Sequence, residues 1–325
     1  MRIARWLHDG CVQEGLVHDG RVLPFPGATS VQSVLESGLD AALELGGRLI
    51  DASSGSEPAL EAVRLLAPLR PTTIRDFVAF EEHVEGVAVS VDGKGGVPEE
   101  WYRYPTFYFT NPHSVLGPAD TVTPPETQAL DFELEVAAVI GRPPRHGGNL
   151  TAAEGAAAIF GYTIMNDWSA RDVQAREMKV RLGPAKGKDF GTTLGPWIVT
   201  ADEVADLVDE EGFLALAVEA LINGERVGHD LLSNMGWPFG ELVAYASRNT
   251  RVAPGDVLGS GTAGNGGCLG ELWGRNGSRT PSPLTTGDVV TLVVERLGEL
   301  TGTVGAPVVV PEIPSARPRA RQRAR

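Results

Sequence analysis

Two cysteines in 325 residues, Cys11 and Cys268, are too few and too far apart to form a disulfide framework, which excludes a small oxidised extracellular scaffold. A reducing cytoplasm is the expected setting. No apolar run approaches the roughly 18 residues a helix needs to cross a bilayer, and the first residues lack the pattern of a secretory leader. Basic residues are also scarce, with 28 Lys and Arg against 42 Asp and Glu and a net charge of −14. Residues 311–325 hold five Arg and one Glu, a local +4 that leaves −18 on residues 1–310. An acidic body of that kind excludes nucleic acid and anionic membrane as expected partners. What is plentiful is Gly (40) and Pro (23), the punctuation of many turns, so the expectation is a β-rich chain with some helices, an α+β fold.

Turn chemistry and periodicity divide the chain. Asp9-Gly10 and Asp19-Gly20 predict a small meander, and helical spacing predicts helices over Ser30–Leu43 and Ala59–Leu66. Pro68 and Pro71 mark the expected boundary between a small N-terminal α+β domain (1–70) and a main domain (71–310). Within the main domain the pattern predicts an acidic helix ending at Gly86 and a lid-like loop over Val87–Trp101. Strands are expected at Phe107–Thr110, Ala129–Gly141 and Ile159–Asn166, and helices at Thr151–Ala158, at Ser169–Lys179 capped by Ser169, and at Phe239–Arg248. The Arg-rich segment 311–325 lacks apolar residues and is expected to be a disordered, solvated tail.

The most informative residues are Glu133 and Glu135, one residue apart in a run that continues as a strand to Ile140. Side chains alternate along a strand, so both acids project from one surface, and two like charges held that close call for a cation. Asp167 ends the next apolar strand and supplies a third oxygen donor. Three carboxylates without Cys or His favour a hard ion, Mg2+, Mn2+ or Ca2+, over zinc. The bland alternatives are an exposed strand face for the two glutamates and a helix cap for Asp167.

Several segments in order resemble the fumarylacetoacetate hydrolase family: Arg75-Asp76-Phe77 leading to His83, Asp131-Phe132-Glu133-Leu134-Glu135, Asn166-Asp167-Trp168-Ser169-Ala170-Arg171-Asp172-Val173-Gln174, Gly187-Lys188-Asp189-Phe190-Gly191-Thr192, and Gly259-Ser260-Gly261-Thr262. The resemblance covers residues 72–310. It implies a mixed β-sandwich roll, a homodimer, a small keto-acid substrate, and a divalent ion (Mg2+, Mn2+ or Ca2+) held by Glu133, Glu135 and Asp167 with Asp76 as a fourth ligand. It further implies that His83 activates water, oriented by Glu271, and that Lys188 stabilises developing negative charge. Arg171, Gln174, Thr192 and Thr262 would position substrate oxygens, and Tyr108 would line the pocket.

The implied reaction is hydrolysis of a carbon–carbon bond in a 1,3-diketo acid of the acylpyruvate or fumarylacetoacetate type, as in catabolism of aromatic compounds, through a metal-bound enolate. The alternatives keep the ion and act as decarboxylase, isomerase or dehydratase of a 2-keto acid, or use the site as a non-catalytic, metal-stabilised binding module. Departures bear on the substrate: Val78 and Met178 stand where the family's hydrolases carry pocket tyrosines, and Asp92 stands near an expected arginine. Arg103 and Arg181 are candidate replacements.

Overall fold

The computed structural model describes residues 1–92 and 96–316, so the terminal arginines Arg317–Arg325 lie outside the described residues. The chain opens with strands β1 (Arg2–His8), β2 (Cys11–His18) and β3 (Arg21–Pro24), turning at Asp9-Gly10 and Asp19-Gly20 as the dipeptides predict. The expected helix over 30–43 is two helices, α1 (Val31–Ser37) and α2 (Leu39–Ala52). Ser30 caps the first, and Gly38, at φ 91°, reverses direction between them in a conformation that a side chain would oppose. The helix expected over 59–66 is a single 3₁₀ turn at Leu60–Ala62 followed by strand β4 (Arg64–Leu66), because pairing with β1 outweighs a short apolar period.

Strand β5 (Ile74–Phe77) leads into α3 (Glu81–Asp92), which outruns the expected stop at Gly86 because Val84, Val87 and Val91 keep the helical spacing. Of the loop expected over Val87–Trp101, residues 93–95 lie outside the described residues, and a 3₁₀ turn occupies Glu99–Tyr102. Strands β6 (Phe107–Thr110), β7 (Val115–Leu116), β8 (Thr121–Val122), β9 (Leu130–Asp131) and β10 (Leu134–Ile140) follow. Phe132 and Glu133 interrupt what the sequence presents as one strand, and there the Glu133 N–H donates to the side-chain Oδ1 of Asn166 on the neighbouring strand instead of to a backbone carbonyl. Helix α4 (Ala152–Ala157), capped by Thr151, precedes β11 (Ile159–Asp167).

Ser169 does not cap a helix. Ser169–Ala170 is a short strand, β12, paired with Asp131–Leu130, and helix α5 (Arg171–Met178) starts two residues later than expected. The chain then runs through β13 (Thr192–Thr200), the hairpin β14 (Ala217–Ile222) and β15 (Glu225–Leu231) turning at Asn223-Gly224, α6 (Phe239–Ala246), β16 (Val257–Gly259), α7 (Leu269–Asn276), β17 (Val289–Val294) and β18 (Gly298–Val304).

Eleven strands form one mixed sheet in the order β3-β2-β1-β13-β11-β10-β16-β5-β6, with β4 and β7 at its side, and five form a second in the order β15-β14-β17-β18-β8. The N-terminal strands thus extend the main sheet, with Arg2 and Ile3 opposite Val199 and Ile198. Ile3, Leu16, Val34 and Leu35 share one buried cluster with Ala137, Val139, Phe160 and Ile198. The helices of this segment therefore cover one face of the large sheet. On the other side the sheets meet over a larger core that includes Phe132, Leu134, Ile164, Trp168, Leu292 and Leu300. None of the described helices is long and apolar enough to cross a membrane.

Candidate active site

Strand alternation aims the acids. Trp168 is fully buried and its Nε1 donates to Thr193 Oγ1 at 2.9 Å, where its ring packs against Gly302 of the second sheet. Burying a ring of that size contributes a few kcal/mol, and with the core holding Trp168 the preceding Asp167 projects the other way. Asp76 comes from β5, which runs parallel to β16 with Asp76 opposite Gly259. Gly259 carries no side chain at this crossing. A Cβ there would lie 2.7 Å from Glu135 Oε2 and 2.8 Å from Asp76 Oδ1, so the two carboxyl groups converge over the bare backbone.

Asp76, Glu133 and Asp167 each place a carboxylate oxygen within 4.8 Å of the other two, and all three residues are buried. Glu135 adjoins Asp76 and is 1% exposed. Asp76 Oδ1, Asp167 Oδ1 and both oxygens of Glu135 are buried without a donor. Burial first, then the neighbouring negative charges, push the carboxyl groups of Asp76 and Glu135 well above the usual range. Glu133 is the exception, held low by Lys188 and Arg171 although burial opposes it. Buried carboxylates lacking donors must take up protons or meet a cation, and an all-oxygen donor set fits a hard divalent ion.

Two basic groups partly balance this charge. Lys188 Nζ lies 2.5 Å from Glu133 Oε2 and 2.7 Å from Asp167 Oδ2. Arg171 Nη2 is 2.8 Å from both Asp131 Oδ2 and Glu133 Oε1, and its Nη1 donates to Gln174 Oε1 at 3.3 Å. Tyr108, opposite Asp76 on β6, donates its hydroxyl to Asp167 Oδ2, with Lys188 Nζ 5.9 Å from the ring. Thr192 sits opposite Asp167 on β13 with a buried, unpartnered Oγ1, and Thr262 is buried just beyond β16.

His83, from the first turns of α3, has Nε2 4.0 Å from Glu133 Oε1. Burial, assisted by the positive charges of Arg171 and Lys188 and opposed by Glu133, lowers its pKa to about 4, so the ring is neutral near pH 7. The orienting contact expected from Glu271 is absent among the described residues. His83 Nδ1 faces Cys268 Sγ at 3.6 Å. Glu271 instead accepts from the Gly266 N–H at 3.3 Å and pairs with Arg275 at 2.9 Å. The Glu271 side chain packs against Gly86, one turn past His83. Its direction is set by the amide of Gly266 and by Arg275, one turn on along α7.

Asp131 was not assigned a role from sequence. Its Oδ2 accepts from Arg171 Nε and from the Gly270 N–H, both at 2.8 Å, and Oδ1 accepts from the Leu269 N–H at 2.7 Å. The alternation Asp131, Glu133, Glu135 was the available signal. Arg103 pairs with Glu99 on the surface, Arg181 is exposed and Met178 is half exposed, and among the described residues neither arginine pairs with the buried carboxylates.

The model of the fumarylacetoacetate hydrolase C-terminal domain matches residues 72–305. Among curated relatives, the fumarylacetoacetase of Arabidopsis thaliana is 30% identical over 284 residues, covering 71% of this chain and 67% of that protein. An oxaloacetate tautomerase of Bacillus subtilis (strain 168) is 27% identical over 249 residues, covering 76% and 75%. Among solved structures, the fumarylacetoacetate hydrolase of Exiguobacterium antarcticum superposes with a TM-score of 0.70 at 26% identity, covering 94% of this chain and 99% of that one.

Proposed function

This chain belongs to the fumarylacetoacetate hydrolase family, and from that premise we propose that it hydrolyses a carbon–carbon bond in a 1,3-diketo acid of the acylpyruvate or fumarylacetoacetate type. The observation that carries the reading is the convergence of Asp76, Glu133 and Asp167, with Glu135 beside Asp76, in which Asp76 Oδ1, Asp167 Oδ1 and both Glu135 oxygens lack a donor, with Lys188 on one side and His83 beside Glu133. Those four carboxylates would hold a divalent ion, which would supply Lewis acidity to a chelating dicarbonyl.

The protein's own groups account for the remaining steps. Neutral His83 takes a proton from water at Nε2, and the resulting hydroxide attacks the carbonyl carbon distal to the keto-acid end. The bond to the central carbon then breaks, its electron pair moves into the keto-acid fragment, the distal carbonyl leaves as a carboxylic acid, and the proton that His83 took from water is returned to the central carbon to complete the second product. Lys188 Nζ and Arg171 provide fixed positive charge from buried positions, where a charge is worth more than in bulk. Removing one such stabilising donor typically costs about 10²–10³ in rate. The Thr192 hydroxyl, free of other partners, is available to a substrate oxygen, and Tyr108 keeps Asp167 oriented.

One observation favours a second reading. His83 is backed by a thiol, Cys268, where a carboxylate partner would make a stronger base. A tautomerase, isomerase, decarboxylase or dehydratase of a 2-keto acid needs no activated water, and a tautomerase is among the relatives. The separating experiment incubates Mn2+-loaded protein with acylpyruvates, fumarylpyruvate and oxaloacetate, identifies products by mass, and repeats the panel with His83→Ala. Cleavage of an acylpyruvate that disappears in the variant supports hydrolysis, whereas turnover surviving the substitution assigns the second reading. No turnover of any keto acid, with the ion bound, leaves a metal-stabilised binding module. Assembly as a homodimer in the cytoplasm belongs to the same proposal.

A further inference from the structure

The two ring nitrogens of buried His83 meet different neighbours. Nε2 looks toward Glu133 Oε1 at 4.0 Å, too far for a hydrogen bond. Nδ1 lies 3.6 Å from Cys268 Sγ, within reach for the larger sulfur atom. Among the described residues no other hydrogen-bond partner reaches the ring.

The sulfur is held in place from several sides. Cys268 is fully buried and immediately precedes α7, where Sγ caps the helix by accepting from the Glu271 N–H at 3.4 Å. The next two amides, Leu269 and Gly270, donate to Asp131, so the helix end that carries the sulfur is anchored. The approach of α3 to α7 is set one turn further on. A Cβ on Gly86 would lie 2.5 Å from Glu271 Cγ and 3.1 Å from its Cα, a closeness that needs glycine. Glu271 is therefore level with Gly86, and Cys268 is level with His83.

We propose that Cys268 is the positioning residue of His83, its sulfur accepting the Nδ1 hydrogen so that the Nε2 lone pair is turned to the carboxylate centre. The proposal rests on the hydrolytic reading, in which Nε2 must be free to take a proton from water. A neutral imidazole carries one hydrogen, and the nitrogen that donates it leaves the other as an acceptor. The negative charge of Glu133 draws that hydrogen toward Nε2, and Sγ opposes this by offering Nδ1–H an acceptor. Burial pushes the Cys268 thiol well above its usual range, so the sulfur stays uncharged. It therefore fixes the tautomer and the ring direction without the added basicity that a carboxylate partner would confer.

The test incorporates isotopically labelled histidine into the full chain and reads the ring nitrogens of His83 by NMR in Mg2+-loaded protein, the signals being assigned by their loss in His83→Gln. The expected result is a hydrogen on Nδ1 in the wild type and in Cys268→Ser, whose hydroxyl also accepts, and its transfer wholly or partly to Nε2 in Cys268→Ala. Glu271→Gln should keep the wild-type pattern. Where the wild type cleaves an acylpyruvate, Cys268→Ala should lower kcat about tenfold, the upper scale of one hydrogen bond, with KM and Mg2+ affinity unchanged, and Cys268→Ser should restore it. Thermal melts establish that each variant is folded. A hydrogen on Nε2 in the wild type, or a pattern that Cys268→Ala leaves unchanged, overturns the proposal. Absence of cleavage by a wild type whose Nδ1 hydrogen depends on Cys268 overturns the hydrolytic reading alone.

Discussion

Asp131 Oδ2 accepts from Arg171 Nε and from the Gly270 N–H, each at 2.8 Å, so one fully buried carboxylate ties the arginine beside Glu133 to the first turn of α7. Its charge offsets the guanidinium and also complements the positive end of the helix. Replacement by alanine leaves Arg171 less compensated and two helix-terminal N–H groups unpaired. Asp131→Ala is expected to lose about 3 kcal/mol of stability in urea unfolding, with the m-value unchanged. A loss within about 0.5 kcal/mol, the range of an ordinary surface substitution, would contradict this account.

Lys188 neutralises Glu133 and Asp167, two of the carboxylates that could hold an ion. Lys188→Met should therefore melt well below the wild type when a chelator is present. Added Mn2+ should narrow the gap, since a ligand bound only by the folded state stabilises it by mass action. A gap of the same size with and without Mn2+ is the outcome that opposes a metal at these carboxylates.

Glu133→Gln keeps the shape of the side chain but removes the charge shared by Lys188, Arg171 and the proposed ion. Calorimetric Mn2+ binding is expected to weaken by at least about a hundredfold, on the scale of losing a charged ligand contact, and keto-acid turnover should vanish with it. Wild-type affinity in the folded variant would remove Glu133 from the ligand set.

Burial raises the Glu271 carboxyl to about 7 from 4.5, against the opposing pull of Arg275 and the Gly266 amide. Between those values the folded chain holds a proton that the unfolded chain has released. The stability associated with that proton is present in full below the unfolded value and is lost as pH rises through the folded one. Glu271→Gln should flatten this decline, read from urea midpoints at about pH 5 and about pH 8, a span bracketing the shift. Parallel slopes for the two proteins would show that another group is responsible.

Glu133, Glu135 and Asp167 became candidates through the local rule of strand alternation, although Glu133 itself lies in the break between β9 and β10, whereas Asp76 and His83 became candidates through resemblance. What local pattern could not convey was the direction of long-range contacts. The strand β4 reads as helical until it is paired with β1, and Ser169 looks like a helix cap until its segment pairs with Asp131 and Leu130. The partner of His83 depends likewise on how α3 lies over α7, and there the side chain that reaches the ring is Cys268, three residues before the expected Glu271.

Gly259 gives the site its most economical control point. Where β5 runs alongside β16, the width available between two acids is the width of a missing methyl group. A chain could retain every acidic side chain discussed and still lose its capacity to hold an ion through the addition of one carbon atom to a residue that carries no chemistry of its own. Inspection of charged positions alone would therefore count such a variant as intact.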